Sequence, residues 1–239
     1  MSDDSSDKTS ELLKKGWGIP GALFLGLSAY FLPQVILVFF VPGVQALLLS
    51  PNISNFLLIV LFELLTIGLL FVFVKGYGFK LSDLGLANLK LRHLGLVVFS
   101  FLIYFPASVM ISALFSFLIP FDQNQTQDVG FSNPVGIELV MVFFAIVVLA
   151  PLAEELLFRG FIFKGIRKKM KFWPTALIVS FLFALVHWQI NVGLDVFALS
   201  LVLCWLREHT DSLWPGIILH ALKNFVAFLL LFVFSLNIG

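Results

Sequence analysis

An all-α, polytopic membrane helix bundle is the fold class that the sequence predicts, and three observations carry the prediction. Apolar residues make up 60% of the 239 positions, with 29 phenylalanines among them. Charged residues make up only 12%, about half the roughly 25% that soluble domains use to coat a water-facing surface. Apolar runs long enough to cross the roughly 30 Å hydrocarbon layer, about 20 residues each, recur along the chain, and mean hydropathy is +1.04.

Those runs fall at Ile19–Leu49, Asn55–Val74, Leu94–Ile119, Pro134–Phe163, Phe172–His187, Val192–Leu206 and Leu213–Leu236. They predict seven transmembrane helices, with eight the nearest alternative. Pro33 and Pro42 fall inside the first run, where each removes a backbone donor and so predicts a kink or break. The fourth run is long for one crossing, and the fifth and sixth are short. No internal repeat stands out. Residues 1–16 read as a short polar cytoplasmic tail without the apolar core of a cleaved signal peptide. Residues 17–239 read as one transmembrane domain.

Lys and Arg asymmetry predicts the orientation. Lys75, Lys80, Lys90 and Arg92 fill the loop after the second run, and Lys164, Arg167, Lys168, Lys169 and Lys171 the loop after the fourth. Between them, Pro120 to Asn133 has no Lys or Arg but holds Asp122 and Asp128. With Lys14 and Lys15, this places the N-terminus in the cytoplasm and, after seven crossings, Gly239 outside. The net charge of +1 and the lack of a basic stripe interleaved with aromatics argue against nucleic acid. The single cysteine, Cys204, rules out an intramolecular disulfide and a cysteine-based zinc cage, and reads as a small apolar filler. Trp17, Trp173 and Trp214 near run ends read as interface anchors.

Within this apolar background stand Glu154-Glu155 with Arg159, then Phe183 and His187, then His220 and Asn224. A charged side chain near the bilayer centre costs roughly 2.5–3.5 kcal/mol on insertion scales, so such groups are functional candidates by default. Residues four apart share a helix face. Glu155 and Arg159 can therefore pair, as can His220 and Asn224 in pointing to one cavity. Glu154 is turned about 100° from Glu155 and faces a different environment, which is how one carboxylate can be tuned for acid–base work while its neighbour stays structural. The bland alternatives are a braced helix junction for the glutamates, an interfacial His187, and Asn224 as interhelical glue. Together the groups offer a water-activating carboxylate, a histidine to orient that water, and His/Asn donors for a developing oxyanion. Along continuous helices, Glu154 and His220 lie about 13–15 Å from the cytoplasmic loops and His187 about 24 Å from Lys171. Bringing them level requires tilt, or a fifth helix that starts outside the bilayer.

The order Glu-Glu-x-x-x-Arg, Phe-x-x-x-His, His-x-x-x-Asn resembles the CAAX prenyl protease and bacteriocin-processing family (CPBP, or Abi), over residues 134–236. The resemblance implies an all-helical intramembrane endopeptidase of the type II CAAX kind, acting on a membrane-embedded or lipidated peptide or protein within the lipid bilayer. It implies that Glu154 and His187 activate water, that His220 and Asn224 stabilise the oxyanion, and that Glu155 and Arg159 support them. The expectation for cofactors is none. The sequence lacks His-Glu-x-x-His, and the alternative is zinc held by Glu154, His187 and His220.

Two other classes compete. A non-catalytic scaffold or bacteriocin-immunity protein would use the same polar residues as braces. A proton-coupled transporter also buries Glu and His, but no paired broken helices occur in two similar halves. Of the remaining intramembrane polar groups, Glu63 is read as protonated or paired with a neighbouring helix, Lys223 as snorkelling or paired, and Asp195 as wetted near an outer helix end.

Overall fold

The computed structural model describes residues 18–47, 49–86, 89–118 and 129–234. The polar tail, Trp17, Asp122 and Asp128 lie outside the described residues. Seven helices account for most of the rest: α1 (Gly18–Gln45), α2 (Pro51–Gly76), α3 (Arg92–Ser116), α4 (Ile137–Arg167), α5 (Phe172–Leu185), α6 (Ile190–Thr210) and α7 (Trp214–Val233). Six are long and apolar enough to cross a membrane, and α5 is shorter. The protein is thus an integral, multi-pass membrane protein, all-helical among the described residues.

Several expected boundaries shift. Helix α1 runs unbroken through Pro33 and Pro42. The sixth helix is not short: it has 21 residues and extends at both ends, to Ile190 and Thr210, past the apolar stretch that marks it in the sequence. Helix α5 stops at Leu185 after 14 residues, about 21 Å of rise and less than the hydrocarbon thickness.

Helix α4 is the centre of the bundle. Its segments pack on α1, α2, α5, α6 and α7, and all eight residues from Leu156 to Phe163 are buried. It is not uniformly α-helical. Two π-helical stretches, Phe144–Leu149 and Leu156–Phe163, flank the α-helical Ala150–Glu155. Around it, α5 packs on α6, α1 on α2, and α3 on α6 and α7. Large apolar side chains such as Phe24, Phe39, Phe99, Phe105 and Met110 stay exposed on α1 and α3, as a lipid-facing surface requires.

The two ends of the bundle differ in charge. At one end Lys164 Nζ donates to the Asp83 carbonyl, Trp214 Nε1 to the Leu86 carbonyl, and Arg167 grips Glu208 with Nη2–Oε1 at 2.7 Å. These contacts gather the loop after α2, the end of α4 and the α6–α7 turn, so the basic loops cluster together. At the other end Glu138 accepts from Ser50 Oγ at 2.5 Å and Asn52 Nδ2 at 2.8 Å.

Without a hydrophobic drive between helices in lipid, close approach depends on small residues. Ala22 and Ala29 are fully buried, and Gly26 sits between them on the same face of α1. A Cβ added at Gly26 would lie 2.5 Å from Ile162 Cγ1. Gly26→Leu should therefore push α1 off α4. We expect a loss of about 1–3 kcal/mol, typical of overpacking, read as a lower thermal midpoint of the detergent-solubilised protein. An unchanged midpoint would mean that this seam is not tightly packed.

Candidate active site

The site is built outward from α4. Glu155 and Arg159, one turn apart, are both fully buried, and Arg159 Nη1 donates to Glu155 Oε1 at 2.8 Å. A charge in so dry a place is tolerated only when paired, and beyond this bond Glu155 Oε2 and Arg159 Nε and Nη2 have no hydrogen-bond partner. The Arg159 guanidinium also lies 4.5 Å from the Phe183 ring centroid, a cation–π contact from α5. His220, on α7, brings Nδ1 to 3.3 Å from the same Glu155 oxygen. Room for the carboxylate comes from Gly216, where a Cβ would lie 3.0 Å from Glu155 Oε2.

Glu154 points elsewhere. Its side chain is 23% exposed, against 1% for Glu155. Its Oε2 lies 3.7 Å from His220 Nε2. The His220 imidazole therefore stands between two carboxylates, one nitrogen toward each. Glu154 is also within Coulombic range of His187.

His187 lies in the turn after α5, two residues past its end. Its Nδ1 lies 2.7 Å from the Phe183 carbonyl. A carbonyl only accepts, so Nδ1 carries the proton and the Nε2 of the neutral ring keeps a lone pair. Phe183 joins the two histidines, its ring centroid 4.9 Å from His187 and 5.8 Å from His220.

Asn224 donates from Nδ2 to the Ile146 carbonyl at 2.9 Å. The local backbone explains why that oxygen is available. In the π-helical stretch the Ala150 N–H goes back to Ala145. The next residue, Pro151, has no N–H to offer Ile146. A side chain from α7 takes the vacant acceptor, leaving one amide hydrogen of Asn224 for another partner.

The structure thus brings Arg159, His187 and His220 around Phe183 and Glu154 and Glu155 to either side of His220, with Asn224 one turn beyond His220. Among the described residues no three His, Cys, Asp or Glu side chains form a group able to hold a metal ion. Residues from the first half of the chain also reach the site. Tyr30 on α1 donates to the Val186 carbonyl at 3.3 Å, next to His187. Glu63 on α2 is buried and lies within Coulombic range of Glu154. Tyr30 carried no sequence signal, since one tyrosine in an apolar run looks like packing.

Two peripheral readings change. Asp195 is not merely wetted: Tyr104 and Ser108 each donate to its Oδ1 at 2.5 Å, and Lys223 Nζ lies 3.3 Å from Oδ2. Lys223 is accordingly paired. Cys204 is fully buried, as a filler should be.

Residues 136–226 match the family model described as Rce1-like, type II CAAX prenyl endopeptidase. All three motifs fall inside that segment. There the chain is similar to that family. This bears out the family resemblance that the motifs carry. The UPF0177 protein YxdF of Lactococcus lactis subsp. lactis (strain IL1403) is 34% identical over 105 residues, 41% of this chain and 55% of that protein. The chain spans about half the length of that relative. No solved structure matches it.

The buried pair makes a prediction within this Rce1-like segment. Arg159→Met leaves the Glu155 carboxylate buried without its cation, at a cost of about 3–5 kcal/mol. The yield of monodisperse protein should fall sharply. Adding Glu155→Gln should recover part of it, since removing both charges is far milder than removing one. Equal yields for wild type and the single variant would show that the pair is not structural.

Proposed function

We propose that the protein is an intramembrane endopeptidase of the CAAX-processing type that hydrolyses a peptide bond of a membrane-associated substrate. The observation that carries this reading is the His220 imidazole set between Glu155 at 3.3 Å and Glu154 at 3.7 Å, beside a histidine whose Nε2 is free to accept. The Rce1-like match of the same segment supports it at the level of the family.

In this reading water binds between Glu154 and His187. Glu154, the less buried carboxylate, removes a proton as the water oxygen attacks the scissile carbonyl carbon. The carbonyl oxygen becomes an oxyanion, which accepts from Nε2–H of a His220 ring that is doubly protonated between its two carboxylates, and from the remaining Asn224 N–H. The tetrahedral intermediate collapses, the C–N bond breaks, and the leaving amine takes the proton held on Glu154. Glu155 and Arg159 hold His220 in place. No step uses a metal, and a prenylated C-terminal peptide is the substrate class that the family description suggests.

One observation favours a second reading, a non-catalytic scaffold or immunity protein: Asn224 already braces α7 against α4 through Ile146. Activity separates the two. The reconstituted protein should cleave a prenylated C-terminal peptide or an unmodified membrane peptide. Glu154→Gln should lower the rate by about 10²–10⁴, without loss of folding. Asn224→Ala should cost about 10²–10³. Full activity in Glu154→Gln rejects the site, and loss on chelation with rescue by zinc rejects the metal-free form.

We further propose that the basic end of the bundle faces the cytoplasm, following the positive-inside rule, which places the N-terminus there. Val135 is exposed at the opposite end, and the native Cys204 is fully buried. An impermeant thiol reagent applied to intact cells should label Val135→Cys and spare Lys169→Cys. The reverse pattern inverts the topology.

A further inference from the structure

The basic end of the bundle carries an open cavity of about 350 Å³. Four cations line it, Lys164, Arg167, Lys168 and Arg207, against two anions, Glu208 and Asp211. The anions are already committed. Glu208 is held in a fork by Arg167, with Nε–Oε2 at 3.0 Å and Nη2–Oε1 at 2.7 Å. Asp211 accepts from Arg207 Nη1 at 2.7 Å, but its side chain is 89% exposed, so water screens it strongly. The lining therefore keeps two positive charges in excess.

Arg207 sets this cavity apart from an ordinary basic loop. It is 7% exposed, and its Nε has no hydrogen-bond partner, a costly state for a buried donor. Its guanidinium lies against Gly85, which adopts φ 106°, and a Cβ there would sit 3.1 Å from Arg207 Cζ. The fold has left out a side chain at Gly85, and the guanidinium occupies that space. Lys164 donates to the Asp83 carbonyl, and the Lys168 ammonium lies 4.9 Å from the Phe79 ring centroid. Burial pushes Lys168 below the ordinary lysine value, so a nearby anion would favour its charged form. Phe163 adds an apolar wall.

We propose that this cavity is a binding site for a phosphoryl group, with Lys164, Lys168 and Arg207 as its donors. Arginine and lysine together suit a phosphate, the first as a fixed fork and the second as a point charge. The phosphoryl group has two sources at a membrane surface: the head of an anionic phospholipid or free phosphate. Basic pockets between transmembrane helices commonly hold such heads. The site is separate from the Glu154–His220 centre, and its test does not depend on peptidase activity.

Full-length protein in a neutral detergent is titrated by calorimetry with three probes: dihexanoyl phosphatidylglycerol, dihexanoyl phosphatidylcholine and inorganic phosphate. We expect saturable binding of the phosphatidylglycerol and little of the phosphatidylcholine. Binding of inorganic phosphate as well assigns the phosphoryl group alone, whereas binding of the phosphatidylglycerol only assigns the lipid head. Lys164→Gln/Lys168→Gln should weaken binding at least tenfold, from about fivefold for each interfacial lysine. Lys168→Gln alone should weaken it about fivefold. In wild type, raising the salt should weaken binding steeply. The proposal is overturned if neither anionic probe binds, if phosphatidylcholine binds equally, or if folded Lys168→Gln binds as wild type does.

Discussion

A carboxylate and a guanidinium held away from both water and lipid must pair, and Glu155 and Arg159 do so from adjacent turns of α4. Much of the bundle follows from that pair. Because both groups are fully buried, α4 has to be surrounded, and its segments meet five other helices. Gly216 must lack a side chain so that α7 can come close to the carboxylate. Phe183 must present its face to the guanidinium, which fixes α5 and hence the turn that carries His187. The pair also anchors His220 through the shared Glu155 oxygen.

Two neighbouring glutamates then acquire opposite characters from one step of helix rotation. Glu155 turns toward Arg159 and the dry core. Glu154, about 100° away, turns toward His220 Nε2 and keeps part of its side chain accessible. A base has to exchange protons with water and substrate, which a fully enclosed ion pair cannot do. The chemistry we propose therefore belongs to Glu154, with Glu155 as the structural partner. The π-helical stretches on either side extend this logic. Such widenings expose backbone acceptors, and one of them, at Ile146, is where Asn224 docks.

How much of this was legible in the sequence depends on the period of the signal. Hydropathy located the helices well because lipid demands long apolar runs. It misplaced the ends of α6, where Asn191, Arg207 and Glu208 lie within the helix but are polar. The i,i+4 spacing of Glu155 with Arg159 anticipated their ion pair. The bond from Asn224 to Ile146 was not legible, since it arises from a shifted backbone register at Pro151 rather than from a side-chain pattern. Tyr30 and Gly26 were hidden for a related reason. Each matters only because another helix comes within contact of it, and a single chain in one dimension carries no record of such meetings.

The matched segment, residues 136–226, holds the three motifs but does not build their surroundings alone. Tyr30 on α1 binds the carbonyl next to His187, and Glu63 on α2 approaches Glu154 in charge if not in sequence. Helices α1 and α2 therefore complete the surroundings of the motif residues, α1 by a hydrogen bond and α2 by a buried carboxylate.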